Sequence, residues 1–89
     1  INGTKVIALE LAQKGIRANC ISPGLVLTDL SRRTLSKLDE ESINNIKKKH
    51  PLGFGSPMDV AIASVFLLSD ASRWITATNL EIDGGKNAT

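Results

Sequence analysis

Few side chains in these 89 residues could do covalent chemistry, and they are scattered. Cys20 is the only cysteine and His50 the only histidine. A thiol becomes a nucleophile when a base or a positive field favours its thiolate. Cys20 lies in an apolar run and His50 in a polar one, so Cys20 reads as a small buried hydrophobe in a reduced compartment. Nor does Cys20 have Cys or His neighbours at metal-ligand spacing, and no metal site is expected. Tyrosine is absent from the chain altogether. Arg32, Arg33 and the run Lys47-Lys48-Lys49 could steer an acidic substrate or carrier protein, but a solvated helix face is the commoner use of such charges. Ser22-Pro23-Gly24 closes the same apolar run, and Thr28 stands four residues after Gly24. Taken alone, that stretch is a turn after a strand, with Thr28 placed to cap a helix.

The elements that would hold this turn follow from periodicity. Apolar Ile7, Ala8, Leu11 and Ala12 recur at helical spacing within Gly3 to Lys14, and Gly15 stands where a helix-ending glycine belongs. Ile16 to Ser22 is short and apolar and reads as a strand, which Pro23 ends by withholding a backbone donor. Thr28 to Lys49 is polar, with helical periodicity from Asp39 to Lys49 carried by Ile43 and Ile46. Ser56, Pro57 and Asp59 supply the cap, first-turn proline and first-turn acid of a helix over 57–68. From Val60 to Leu68 only Ser64 is polar, so that helix needs partners on more than one side. Asn79 to Asp83 is a second strand, closed by Gly84-Gly85.

Helix, strand, polar insert, helix and strand in this order imply parallel strands joined by right-handed crossovers. A two-stranded sheet is marginal in water, so the isolated 89 residues are expected to be unfolded or aggregated. With 42% hydrophobic and 22% charged residues, the composition is that of a soluble globular protein. A net charge of +2 is too small to argue for nucleic acid. No apolar run approaches the roughly 18–20 residues of a membrane span.

The string Ile16-Arg17-Ala18-Asn19-Cys20-Ile21-Ser22-Pro23-Gly24-Leu25-Val26-Leu27-Thr28-Asp29 resembles a segment of the short-chain dehydrogenase/reductase family. The likeness continues through Pro57-Met-Asp-Val-Ala61, Phe66-Leu-Leu-Ser-Asp-Ala-Ser72, Trp74-Ile-Thr76 and Asp83-Gly-Gly85. Upstream, Thr4-Lys-Val-Ile-Ala-Leu-Glu-Leu-Ala12 is similar to the helix that carries the tail of the family's active site. The 3-oxoacyl carrier-protein reductase and sugar-alcohol dehydrogenase branches are nearest in character. The resemblance implies an α/β fold, the C-terminal portion of a doubly wound parallel Rossmann-type sheet. Residues 1–89 would form the C-terminal segment of one such domain, without its N-terminal dinucleotide-binding half.

The implied cofactor is NAD or NADP, shared with that N-terminal half, and the implied contacts are Pro23, Gly24, Val26 and Thr28. Ligands of open α/β sheets sit beyond the carboxyl ends of the strands. Pro23 would fix the backbone direction there, and Gly24 would let it approach a flat ring. The Val26 main chain would bond the nicotinamide carboxamide, and the Thr28 hydroxyl the carboxamide or the pyrophosphate. Asn19 would brace neighbouring backbone. Leu25 to Leu35 would begin a loop covering the substrate.

No catalytic residue is assigned. The family works with a Ser, a Tyr-x-x-x-Lys pair and a helper Asn, and by resemblance its Lys would fall just before Ile1. Lys5 lies about two helical turns beyond that place and reads as solvent-facing. Two departures stand out. Ala77 occupies a position where the family often has Gly, and Gly53-Phe54-Gly55 has one residue between glycines where many members have two.

The reading is therefore part of an NAD(P)-dependent oxidoreductase interconverting a small-molecule carbonyl and a secondary alcohol. It is expected to be cytoplasmic, bound to neither nucleic acid nor membrane, and assembled as a homotetramer or dimer through 57–69 and 79–83. The 89 residues alone are expected to be inactive. The alternative is a non-catalytic truncated product, or an interaction module docking on a complete subunit.

Overall fold

A computed structural model describes residues 2–89. Its helices are α1 (Asn2–Ala12), α2 (Asp29–Ser36), α3 (Glu40–Lys48) and α4 (Pro57–Leu68), and its strands are β1 (Cys20–Pro23) and β2 (Asn79–Ile82). Short 3-10 turns follow at Asp70–Ser72 and Lys86–Ala88. The strands run parallel in one two-stranded sheet: Cys20 N–H donates to Thr78 C=O and Gly24 N–H to Ile82 C=O, each at 2.9 Å, with the same register. This is the expected α/β architecture. The chain divides into two units, one comprising the residues up to Ser22 with Ala61–Glu81, the other Pro23–Val60 with Ile82–Thr89.

In the first unit, α1 stops as its sequence dictates. Gly15 takes φ 71°, which a Cβ would resist. Ala8 is fully buried and Leu11 half-buried, but Ile7 and Ala12 stay exposed, so the buried row is narrower than the apolar spacing implies. β1 begins later than the apolar run from Ile16 does. The reason lies opposite it, at Ala77, whose φ of 61° takes the facing chain out of the extended conformation. The strands still join there through Ala77 N–H to Ala18 C=O at 2.9 Å and Ala18 N–H to the Thr76 hydroxyl at 3.1 Å.

Asn19 and Arg17 make that turn rigid. The Asn19 amide donates to Ile75 C=O at 3.0 Å and accepts from Thr78 N–H at 3.1 Å. Arg17 spreads its guanidinium over the carbonyls of Ile75 and Ser69, both at 3.2 Å. These bonds hold Ala77 in a left-handed conformation that costs an L-residue about 1–2 kcal/mol. Ala77→Gly should therefore stabilise the protein by about 1 kcal/mol, since glycine's extra unfolded-state freedom takes back part of the relief. Urea unfolding of the complete subunit would read this as a raised midpoint, and a lowered midpoint would refute the strain.

α4 starts on the expected signal: Ser56 N–H donates to the Asp59 carboxylate at 2.7 Å, with Pro57 in the first turn. Val60, Ala63, Ser64 and Leu67 form its covered row, and of these only Leu67 is buried.

In the second unit, the polar stretch after the loop is more ordered than its composition suggests. Thr28 caps α2, which the apolar periodicity does not reveal: its hydroxyl accepts from Ser31 N–H at 3.2 Å, and Ser31 Oγ accepts from Thr28 N–H at 2.8 Å. Asp39 caps α3 through Ser42 N–H at 2.7 Å. Bonds from the Ser42 side chain and backbone hold the Asp39 carboxyl below its ordinary range. That capping contribution is present above the ordinary carboxylate range and is lost as pH falls through the lowered folded value. Among the described residues no helix is long and apolar enough to cross a membrane.

Candidate functional site

The site is built at the carboxyl end of β1, within the second unit. Gly24 packs on the backbone after β2 so closely that a Cβ would lie 2.9 Å from the Asp83 Cα and Cβ. The need for glycine is thus already met inside the protein, by close approach to Asp83, before any ligand is considered.

The chain then runs beside the 53–55 turn, with Gly55 N–H donating to Leu25 C=O at 3.0 Å and Leu27 N–H to Gly55 C=O at 2.8 Å. C=O and N–H of one trans peptide point in opposite directions. The bond to Leu25 C=O therefore aims Val26 N–H away from Gly55. That amide takes no partner among the described residues, whereas Val26 C=O accepts from Thr28 N–H at 3.0 Å and Ser31 Oγ at 2.7 Å. The loop presents one open, directed backbone donor, at the Val26 position that the resemblance singled out.

The other named residues stand around it. Pro23 is the last residue of β1 and is exposed, so the ladder reaches one residue past Ser22. Thr28 is also exposed, but its hydroxyl is the helix cap, and any ligand would share it with Ser31. Arg32, Arg33 and the three lysines 47–49 are exposed, as solvated faces should be. Lys5 is exposed too. Cys20 is half-buried rather than buried, since strands so short cannot enclose it.

Two cavities adjoin the loop in this unit. One, of about 410 Å³, is bordered by Leu25, Val26, the 52–55 turn, Asp59 and Asp83. Both of its carboxylates are already committed: Asp59 accepts from Ser56 N–H, and Asp83 accepts from the amides of Gly85 at 3.0 Å and Asn87 at 3.1 Å. The other, of about 330 Å³, lies under α2 and α3 and is lined by Leu25, Leu30, Leu35, Leu38 and Ile46 with three hydroxyls. Thr28, Ser31 and Thr34 spend those hydroxyls on neighbouring backbone, at Ser31 N–H, Val26 C=O and Leu30 C=O. Neither cavity holds a free acid–base pair, and no cluster of metal-ligating side chains exists among the described residues.

One residue of the site escapes a reading by segment polarity. His50 is 5% exposed, and its ring Nε2 accepts from Leu25 N–H at 3.3 Å. The available signal was its spacing: Ile43, Ile46 and His50 fall at helical intervals, on one face.

The proline–glycine loop thus stands at the carboxyl end of a parallel strand and is followed by two short helices. The family model described as Enoyl-(Acyl carrier protein) reductase matches residues 1–87. The chain belongs to the short-chain dehydrogenase/reductase family. It is 38% identical over 86 residues to the 3-oxoacyl-(acyl-carrier-protein) reductase FabG of Chlamydia trachomatis, covering 96% of this chain and 33% of the relative. It is 42% identical over 86 residues to the NAD-dependent glycerol dehydrogenase of Listeria innocua, with the same two coverages, 96% and 33%. Among solved structures, a 4-hydroxyisoleucine dehydrogenase complexed with NADH superposes with TM-score 0.89 at 36% identity, over 99% of this chain and 36% of that one. The chain thus spans about a third of the length of the curated relatives it matches.

Proposed function

We propose that these residues are the C-terminal segment of a subunit that interconverts a carbonyl and a secondary alcohol with NAD or NADP. The observation that carries this reading is the loop Pro23–Thr28, pinned by Asp83 and Gly55, with the Val26 amide as its open donor. The residues present fit a nicotinamide: an amide aimed outward for the carboxamide oxygen, Gly24 keeping the backbone low, and the Thr28 hydroxyl beside it. The bound nicotinamide supplies or accepts the hydride, and the protein's task is to orient its ring. Pro23, Gly24 and Val26 do that here, while α2 and α3 form a lid whose apolar underside excludes water from the ring face. The outward side of α4, with β2, is the assembly surface.

The acid–base step belongs to residues outside this stretch, because the chain has no tyrosine and Lys5 is exposed on α1. The coding sequence just before Ile1 should supply Tyr-x-x-x-Lys. NADH and NADPH oxidation with a panel of ketones and aldehydes tests the reading. The complete subunit should turn over, and the 89-residue peptide should show neither turnover nor a cooperative thermal transition. A complete subunit that binds neither cofactor would overturn the function. Turnover by the peptide would overturn the division of labour.

A further inference from the structure

The Leu25 amide is tied to a side chain distant in sequence, and the chemistry of that tie is fully determined. A backbone N–H can only donate, so His50 Nε2 accepts at 3.3 Å and carries no proton. The ring proton then sits on Nδ1, which donates to Ile46 C=O at 2.9 Å. The imidazole is 5% exposed and lies edge-on to Phe54, with centroids 5.4 Å apart and planes at 75°. Burying an imidazole is costly unless both nitrogens are bonded. Here one nitrogen bonds the last turn of α3, and the other bonds the loop proposed to face the nicotinamide.

We infer that His50 is a positioning residue for that loop. Leu25 is held on both sides, its N–H by His50 and its C=O by Gly55, so the peptide plane that carries Val26 N–H is fixed between them. Fixing that plane aims the Val26 donor. The same ring joins the end of α3 to the loop, so the lid and the donor move together. The inference rests on the function proposed above.

Three variants of the complete subunit separate aiming the loop from merely anchoring α3. His50→Gln reaches with a carbonyl to the place of Nε2 and keeps an acceptor for Leu25. His50→Asn reaches only the place of Nδ1, so it keeps the donor to Ile46 and abandons Leu25. His50→Leu keeps bulk and loses both bonds. In fluorescence titrations His50→Gln should bind NADH or NADPH within about threefold of the wild type, while His50→Asn and His50→Leu bind about tenfold more weakly. Equal binding by the Gln and Asn variants would show that the ring serves only α3 and would overturn the inference, leaving the proposed function standing. Failure of the wild type to bind either cofactor would overturn the function itself, a separate result. Should the variants not fold, the wild-type imidazole nitrogen spectrum decides: the Nδ1–H tautomer supports the contact, and the Nε2–H tautomer refutes it.

Discussion

Gly24→Ala should abolish measurable cofactor binding by the complete subunit while a control, Gly3→Ala, leaves it intact. The new methyl would stand 2.9 Å from the Asp83 Cα and Cβ and 3.2 Å from its carbonyl oxygen. Carbon atoms rest at about 3.5–4.0 Å, so the two chains must part by roughly 0.6 Å or more. What must move is backbone, not the end of a flexible side chain, and Gly24 N–H is also bonded to Ile82 C=O at 2.9 Å. Overpacking of this kind costs about 1–3 kcal/mol in stability. The functional loss should be larger, because a shift near 1 Å in a positioning group costs on the order of a hundredfold. Val26 follows two residues later, and its amide direction depends on where Gly24 leaves the sheet. At Gly3 a Cβ meets nothing within 4 Å and the residue is helical, so alanine there should be silent or stabilise by up to about 1 kcal/mol. NADH and NADPH titrations beside urea midpoints measure both terms. Wild-type affinity in Gly24→Ala would show that the loop does not carry the nicotinamide.

The site was legible where its signal is local and illegible where it depends on distant pairing. Ser56, Pro57 and Asp59 announce α4 because cap, proline and acid act within one turn, and the helix spans the 57–68 expected. Gly15 is legible for the same reason. α2 is not, since only Leu30 and Leu35 of its eight residues are apolar and they carry little periodicity, yet the Thr28–Ser31 pair was there to be read as a reciprocal cap. That pair also changes the meaning of Thr28, whose hydroxyl has a structural duty before it meets any ligand. The apolar run from Ile16 promised a strand that starts four residues before β1 does. The limit is set across the sheet by the left-handed Ala77, a position where the resemblance marked only a departure from glycine. Asn19 was read as a brace for backbone, and it bonds the Ile75 carbonyl and the Thr78 amide. His50 is the plainest loss: among lysines and a proline it looks solvated, and its burial arises from Leu25 and Phe54, which only folding brings near.

On the assembly surface proposed above, Ala61→Glu combined with Val65→Lys should separate the subunits without unfolding them. The covered row of α4 is Val60, Ala63, Ser64 and Leu67. Ile62 is 62% exposed, Val65 67% and Leu68 85%, so the apolar side chains that give the helix its all-round character are open to solvent. A contiguous apolar face of this kind marks an interaction surface, and a second copy presenting the same face would cover it. Positions 61 and 65 are one helical turn apart on that side, so the new glutamate and lysine can pair with each other on a free surface, adding about 0.2–0.5 kcal/mol to the helix. The subunit should therefore keep its fold. In the assembly the same two charges would be taken from water at about 3 kcal/mol or more. A twofold interface meets each substitution twice, which weakens association by on the order of 10⁴-fold. Sedimentation velocity at micromolar protein should then show a smaller species with an unchanged thermal midpoint. Unchanged sedimentation would mean that α4 does not mediate self-association, and a fallen midpoint at constant mass would place this face inside the subunit's own core.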